Sequence, residues 1–161
     1  MNTVMKLPTL DDERIEQRDE IGRLVGIVRH YGAAPVAGPR ILVAIDGTEV
    51  SNALADRVIE WQQKHHWAFD THLLLVHDFL GKEAAERLLE EVALADTAAV
   101  RERLRAAGIG HTLHVLMGNP APRILERAAA IDAAVILMGT RGHGPIGSVM
   151  LGSVAYKVVH E

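Results

Sequence analysis

Glycines are concentrated in residues 138–155, MGTRGHGPIGSVMLGSVA, where five of them follow directly on an apolar run. Gly139 and Gly142 would let the backbone approach an anion closely and turn its N–H groups inward. Gly152 and Ser153 would begin or continue a helix whose unpaired N–H groups favour negative charge, and the serine hydroxyl would add a donor. The stretch therefore indicates a phosphate-binding loop, although glycines also serve simply to turn a chain.

Residues 142–147 also match two nucleotide-binding motifs in part. They satisfy GxGxxG, but that motif opens a βαβ unit and has an acidic residue about 20 positions later, whereas the sequence ends at residue 161. They also have P-loop glycine spacing, but Ser148 and Val149 occupy the positions of the required Lys and Ser or Thr. We therefore expect neither a dinucleotide site nor a Walker-type NTPase.

The composition narrows the classes of protein and of partner. A chain of 161 residues suits one domain. Because its net charge of −4 offers no attractive field to a polyanion, we expect no nucleic-acid partner. The absence of cysteine excludes disulfides, thiolate catalysis and cysteine-bound metals. Residues 1–20 turn acidic where a signal peptide is apolar, and no apolar run is long enough to span a membrane. We expect a cytoplasmic protein that does not associate with membranes.

Apolar runs of strand length alternate with helical patterns from residue 40 onward. The pattern predicts strands at 40–46, 71–77, 111–117 and 133–138, with helices at 51–66, at 82–107, from Pro120 behind an Asn119 cap, and at 148–159. Strands that are apolar throughout need cover on both faces, which predicts a parallel α/β sandwich. Ligands of such sheets bind outside the carboxyl ends of the strands, so the loops after the first and fourth of these strands are the candidate site.

The N-terminal part of the chain has a different pattern. Ile21, Leu24 and Val28 recur at three- and four-residue spacings among charged residues, which predicts an amphipathic helix over 10–31. The prolines and glycines of residues 32–39 predict a linker. We therefore expect residues 1–39 to form an extension and residues 40–161 to form the folded domain.

Several blocks of the sequence occur in the order and spacing of a known family. Gly139, Gly142 and the Gly152-Ser153 pair follow the pattern G-x2-G-x9-G-S, and the blocks ILVAIDGTEVS, LLLVHD, GNPAPRILERA and GSVAYKVVHE accompany it. Apart from residues 1–39, most of the chain resembles the ATP-binding branch of the universal stress protein family. The resemblance implies a three-layer α/β sandwich whose sheet is mostly parallel and doubly wound, Rossmann-like and adenine nucleotide alpha hydrolase-like.

The resemblance also implies site residues. Asp46 would accept a ribose hydroxyl, and the backbone near Ala44 would face the adenine. The backbone of Val76 would read the adenine edge, and Met138 would line the pocket. The other residues implied are those of the glycine loop: Gly139, Thr140, Arg141, Gly142, Gly152, Ser153 and Val154. Judged from the residues alone, an Asp-Gly pair is also a common turn, and Val76 and Met138 also suit an ordinary core.

The resemblance implies a homodimeric stress-response module that holds ATP, with Mg²⁺. Two other functions stay open. One is a slow ATPase or phosphoryl-transfer protein, for which Asp46, Arg141 and His143 are the candidates; the other is a dimeric interaction scaffold that binds no nucleotide. No residue is assigned a catalytic role, and the histidines lack metal-ligand spacing, so no metal site is expected.

The sequence departs from the family pattern in three places. Leu75 stands where a histidine is common, and Pro145 stands where glycine is frequent, which would stiffen the phosphate loop. Family members usually continue beyond the VVHE block into a fifth strand that often pairs across a dimer, whereas this sequence stops at Glu161. Either the sequence is truncated or residues 1–39 replace that strand or its edge cover; both alternatives, and the mode of dimerisation, stay open.

Overall fold

The computed structural model describes Met5, residues 7–8 and residues 14–139. In chain order its elements are β1 (Ile15–Arg18), β2 (Leu24–Tyr31), β3 (Arg40–Ile45), α1 (Glu49–Lys64), β4 (Asp70–His77), α2 (Lys82–Ala106), β5 (His111–Met117), α3 (Pro120–Ala130) and β6 (Ala133–Met138). The elements predicted from residue 40 to residue 138 are confirmed, with ends that differ by two residues at most. The helix predicted at 148–159 lies outside the described residues. None of the described helices has the length and apolar character needed to cross a bilayer.

All six strands form one sheet in the order β1-β2-β5-β4-β3-β6. Strands β5, β4, β3 and β6 are parallel to one another. Strand β2 pairs antiparallel with β5, and β1 pairs antiparallel with β2. The predicted mostly parallel, doubly wound α/β sandwich is therefore confirmed.

The sheet has a separate apolar core on each face. One core joins alternate residues of the parallel strands, such as Ile41, Leu73 and Leu113, to the buried sides of α1 and α2. The other joins the intervening residues, such as Leu42 and Leu74, to α3. Because both faces are covered by helices, the strands carry apolar residues without polar alternation.

The helix predicted over 10–31 is wrong, since residues 15–31 form β1, a turn and β2. Gly22 ends the turn with φ +79°, a conformation that an α-helix does not contain. The run LVGIV in β2 has buried side chains on both faces of the sheet, so its three- and four-residue spacings arise by chance. The pairing of β2 with β5, for example Val28 with His114, joins segments far apart in sequence and overrides local propensity.

The β1–β2 hairpin extends the sheet beyond β5. Residues of the predicted extension therefore belong to the same sheet as the domain, and they supply edge cover on the side opposite β6. The new edge strand, β1, is only four residues long and carries ion pairs between Arg14 and Glu16 and between Arg18 and Glu86. Short, charged edge strands resist pairing with other chains.

Candidate functional site

The carboxyl ends of β3 and β6 meet at the point where the strand order reverses. From β3 the chain proceeds through α1 to β4 on one side, while β6 pairs with β3 on the other side. Ala44 on β3 is directly opposite Met138 on β6. Ligands of doubly wound sheets bind at such a switch point, so the structure brings these two predicted site residues together at the expected place.

Three of the predicted residues share one face of the sheet at this end. The side chains of Ala44, Val76 and Met138 are all partly buried against the core under α3. They come from three adjacent strands, β4, β3 and β6. The arrangement forms a small apolar surface beside the loop that follows β3.

Asp46, the first residue after β3, is held in a defined position. Its Oδ1 accepts hydrogen bonds from the Thr48 N–H at 3.0 Å, the Thr48 hydroxyl at 2.6 Å and the Ser51 hydroxyl at 2.9 Å. Its own N–H donates to Ser51 Oγ at 2.9 Å. Among the described residues Oδ2 has no such partner, so this oxygen is available to a ligand. Gly47 follows with φ +80°, so the Asp-Gly pair also forms a turn.

The hydrogen bonds to Asp46 fix its charge as well as its position. Burial acts to raise the pKa of this carboxyl, but the hydrogen bonds from Thr48 and Ser51 outweigh burial and hold the pKa below its usual value. Asp46 is therefore ionised at neutral pH. An ionised carboxylate whose second oxygen has no partner in residues 14–139 is a strong acceptor for a hydroxyl group.

Gly139, directly after β6, lies against the start of α1. A Cβ atom at this position would come within 2.3 Å of Val50 Cγ1, far inside van der Waals contact. The backbone at Gly139 does not have the positive φ that itself favours glycine. Close packing on Val50 is thus one reason for glycine here, beside the predicted close approach of an anion to the backbone.

The rest of the predicted glycine loop lies outside the described residues. This part comprises Thr140, Arg141, Gly142, Gly152, Ser153 and Val154, together with His143 and Pro145. Leu75, which stands where the family commonly has histidine, is buried in the core on the α1 and α2 side. It therefore does not contribute to the apolar surface beside Asp46.

Comparison with known proteins identifies the family. The family model described as "Universal stress protein family" matches residues 39–161. The chain belongs to the universal stress protein family. Its relative from Thermus aquaticus, "Universal stress protein in QAH/OAS sulfhydrylase 3′region", is 36% identical over 137 residues, covering 75% of this chain and 90% of the relative.

Solved structures of other universal stress proteins share the fold. One in complex with cAMP has a TM-score of 0.60 at 21% identity and covers 78% of this chain and 92% of that chain. Another, from Archaeoglobus fulgidus in complex with dAMP, has a TM-score of 0.56 at 19% identity and covers 78% of this chain and 93% of that chain. The family match begins at residue 39, so β1 and β2 precede it.

This universal stress protein also has a buried polar chain across the sheet that the sequence analysis did not find. Arg127 Nη1 donates to His114 Nδ1 at 3.0 Å, so His114 carries its proton on Nε2. His114 Nε2 then donates to His72 Nδ1 at 2.8 Å. The remaining ring nitrogen, His72 Nε2, lies 3.0 Å from Asp70 Oδ2 at the other end of the chain.

The polar chain keeps His114 neutral and its two ends, Arg127 and Asp70, charged. Burial and the nearby Arg127 charge hold the pKa of His114 well below its usual value. Burial acts to raise the pKa of Asp70, but His72 and Arg40 outweigh it and lower that pKa.

Within the described residues, no three His, Asp or Glu side chains are arranged to hold a metal ion. The only sequence signal was polar residues within otherwise apolar strands.

Proposed function

We propose that this protein binds ATP, with Mg²⁺, at the switch point between β3 and β6 and acts as a nucleotide-responsive module of the stress response. Family membership supports a nucleotide ligand, because universal stress proteins of the same fold have been solved with cAMP and with dAMP. Both of those ligands contain adenine and a sugar ring, so the proposal for this chain is an adenine nucleotide.

The observation that carries the proposal is the geometry of Asp46. Its Oδ1 is bound by Thr48 and Ser51, which leaves Oδ2 to accept a ribose hydroxyl. The apolar surface formed by Ala44, Val76 and Met138 lies at the same end of the sheet and suits a planar base. A fixed ionised acceptor beside an apolar wall is a pattern that binds nucleosides.

The phosphates are proposed to bind the glycine loop. Its residues are Gly139, Thr140, Arg141, Gly142, Gly152, Ser153 and Val154. Backbone N–H groups in such a loop attract an anion, and Mg²⁺ would enter with the phosphates, whose charge it offsets. The proposal also includes a homodimer, which rests on the family relationship, and a cytoplasmic location, which suits a chain without cysteine.

Calorimetric titration of the full chain with MgATP, ADP and AMP tests the proposal. Asp46→Asn keeps the shape of the side chain but removes its charge, and hydrogen bonds to charged groups contribute about 1.5–3 kcal/mol, so we expect at least tenfold weaker binding. The matched control is Asp56→Asn, which changes an exposed carboxylate paired with Arg103 on the outer helices. The control is expected to bind like the wild type.

Two results would contradict the proposal. One is the absence of binding by any of the three nucleotides to the folded wild-type chain, which would favour the interaction scaffold. The other is equal affinity of the wild type and Asp46→Asn, which would remove Asp46 from the site. Release of ADP during the titration would show that the protein hydrolyses ATP.

A further inference from the structure

A cavity lies at the edge of the sheet, away from the switch point. It has a volume of about 560 Å³ and lies between the β1–β2 hairpin, the end of β5 and one side of α3. This volume is within the range of small-molecule sites, about 300–1,000 Å³. Within residues 14–139, its lining includes none of those predicted to bind the nucleotide.

The walls of the cavity are mostly apolar. Val25 from β2, Leu116 and Met117 from the end of β5, and Phe79 from the loop after β4 all line it. Phe79 is an exposed aromatic residue, with 53% of its surface accessible. Such walls favour a hydrocarbon body over a sugar or another strongly hydrated group.

Arg127 places a buried positive charge in the wall of this cavity. The residue is only 5% exposed, and its guanidinium donates to three neutral acceptors: Met5 Sδ at 3.1 Å, His114 Nδ1 at 3.0 Å and Gln17 Oε1 at 2.5 Å. A guanidinium has five N–H donors, so two are left for a ligand. Among the described residues no carboxylate forms an ion pair with Arg127.

The other two arginines of the cavity are already paired. Arg23 forms an ion pair with Asp19 at 2.9 Å and lies over the Phe79 ring at 5.2 Å. Arg123 pairs with Glu126 at 2.5 Å. The described lining therefore has one positive charge in excess, located on Arg127, and burying a charge without a counterion is costly. Burial lowers the pKa of Arg127 to about 10, so the group is still charged at neutral pH.

We propose that this cavity binds a small carboxylic acid with an apolar body, whose carboxylate pairs with Arg127 and whose hydrocarbon part lies against Val25, Phe79 and Leu116. A single carboxylate matches the single excess charge, and the planar guanidinium suits carboxylate geometry. Gln17 and Val25 come from the hairpin that precedes the family match. The hairpin thus completes a site whose charged group, Arg127, belongs to the family-matched part of the chain.

Titration of the full chain with sodium octanoate, compared with 1-octanol, tests the proposal. The two probes have the same hydrocarbon chain, so the difference between them measures the contribution of the charge. We expect octanoate to bind with one site per chain, and octanol to bind at least tenfold more weakly. Addition of saturating MgATP should leave the octanoate affinity unchanged, because the two sites share no described residue.

Two variants locate the binding. Arg127→Gln removes the charge and is expected to weaken octanoate binding at least tenfold without changing the affinity for octanol. Because Arg127 is buried and its loss can unfold the chain, Ala130→Leu provides a second test: it adds a side chain in the cavity at a helical position that tolerates leucine. Ala130→Leu should weaken the binding of both octanoate and octanol. Arg103→Gln, on α2 away from the cavity, is the matched control.

Three results would overturn the proposal: no octanoate binding by the folded wild type, equal binding of octanoate and octanol, or unchanged octanoate affinity in both folded variants. Displacement of octanoate by MgATP in a one-to-one ratio would also overturn it, because the two ligands would then share one site. Failure of ATP to bind, with octanoate binding intact, would refute only the nucleotide proposal.

Discussion

Stability is expected to fall between neutral and mildly acidic pH because of the buried His111. This residue is 2% exposed, its Nδ1 donates to the Ile109 carbonyl at 3.3 Å, and its ring stacks on Tyr31 at 5.9 Å. Burial lowers the pKa of His111 to about 4, with smaller effects from His30 and Arg101. The folded state therefore resists protonation of this ring, whereas the unfolded chain accepts a proton near pH 6.5.

The direction and size of the effect follow from these two pKa values. Above pH 6.5 both states are neutral and His111 has no effect; as the pH falls toward 4, the unfolded state binds the proton first and becomes favoured. Lowering the pH from about 7.5 to about 5 should then remove about 2 kcal/mol of stability through His111. Protonation of His114, whose pKa is also lowered by burial, adds to the loss. Carboxylates such as Asp46 and Asp70 have lowered pKa values and act only at more acidic pH.

Urea unfolding of the full chain at a series of pH values measures this loss. His111→Phe keeps the stacked ring but cannot be protonated, so its stability should fall about 2 kcal/mol less than that of the wild type over the same range. If the larger phenylalanine ring packs less well, the free energy of unfolding of His111→Phe is lower by the same amount at every pH, and its dependence on pH does not change. Parallel curves for the wild type and His111→Phe would refute the reasoning.

Glycine positions provide two further predictions. Gly26→Ala in β2 should destabilise the chain by about 1–3 kcal/mol in urea unfolding, because its Cβ would lie 2.6 Å from Gln17 Oε1 and 2.8 Å from Leu116 Cδ2. The control is Gly81→Ala, whose Cβ would have no atom within 4 Å. An equally small loss of stability in both variants would show that the hairpin is not packed on β5. Gly139→Ala should cost a similar amount through Val50, and Val50→Ala in the same chain should restore the stability. If the double variant regains its stability but not its affinity for ATP, Gly139 also contacts the nucleotide directly.

The parallel part of the fold could be predicted because its signals are local. Runs such as those of β3 and β6 are continuously apolar and are bounded by helices with clear starts, of which Asn119 before Pro120 is an example. Asn119 is indeed the N-cap of α3, although its side chain makes no capping hydrogen bond. The hairpin was not predicted because its strands depend on pairing with β5, which lies far along the chain.

The candidate site was predictable to the extent that it follows from strand order. Once β3 and β6 are parallel neighbours, their carboxyl ends meet, which brings Ala44 and Met138 close together. The partners of Asp46 are within five residues of it. The chain of His72, His114 and Arg127 is different, since it needs the register between two strands and the position of α3. Those quantities are set by packing of the whole domain.

The amide NMR spectrum of the full chain during titration with MgATP tests the central proposal most directly. The proposal predicts that the signals of Asp46, Val76, Met138 and Gly139 move with a common affinity, while those of Val25 and Arg123 at the cavity beside α3 stay unchanged. No movement at the ends of β3 and β6, or movement at the hairpin instead, would contradict it.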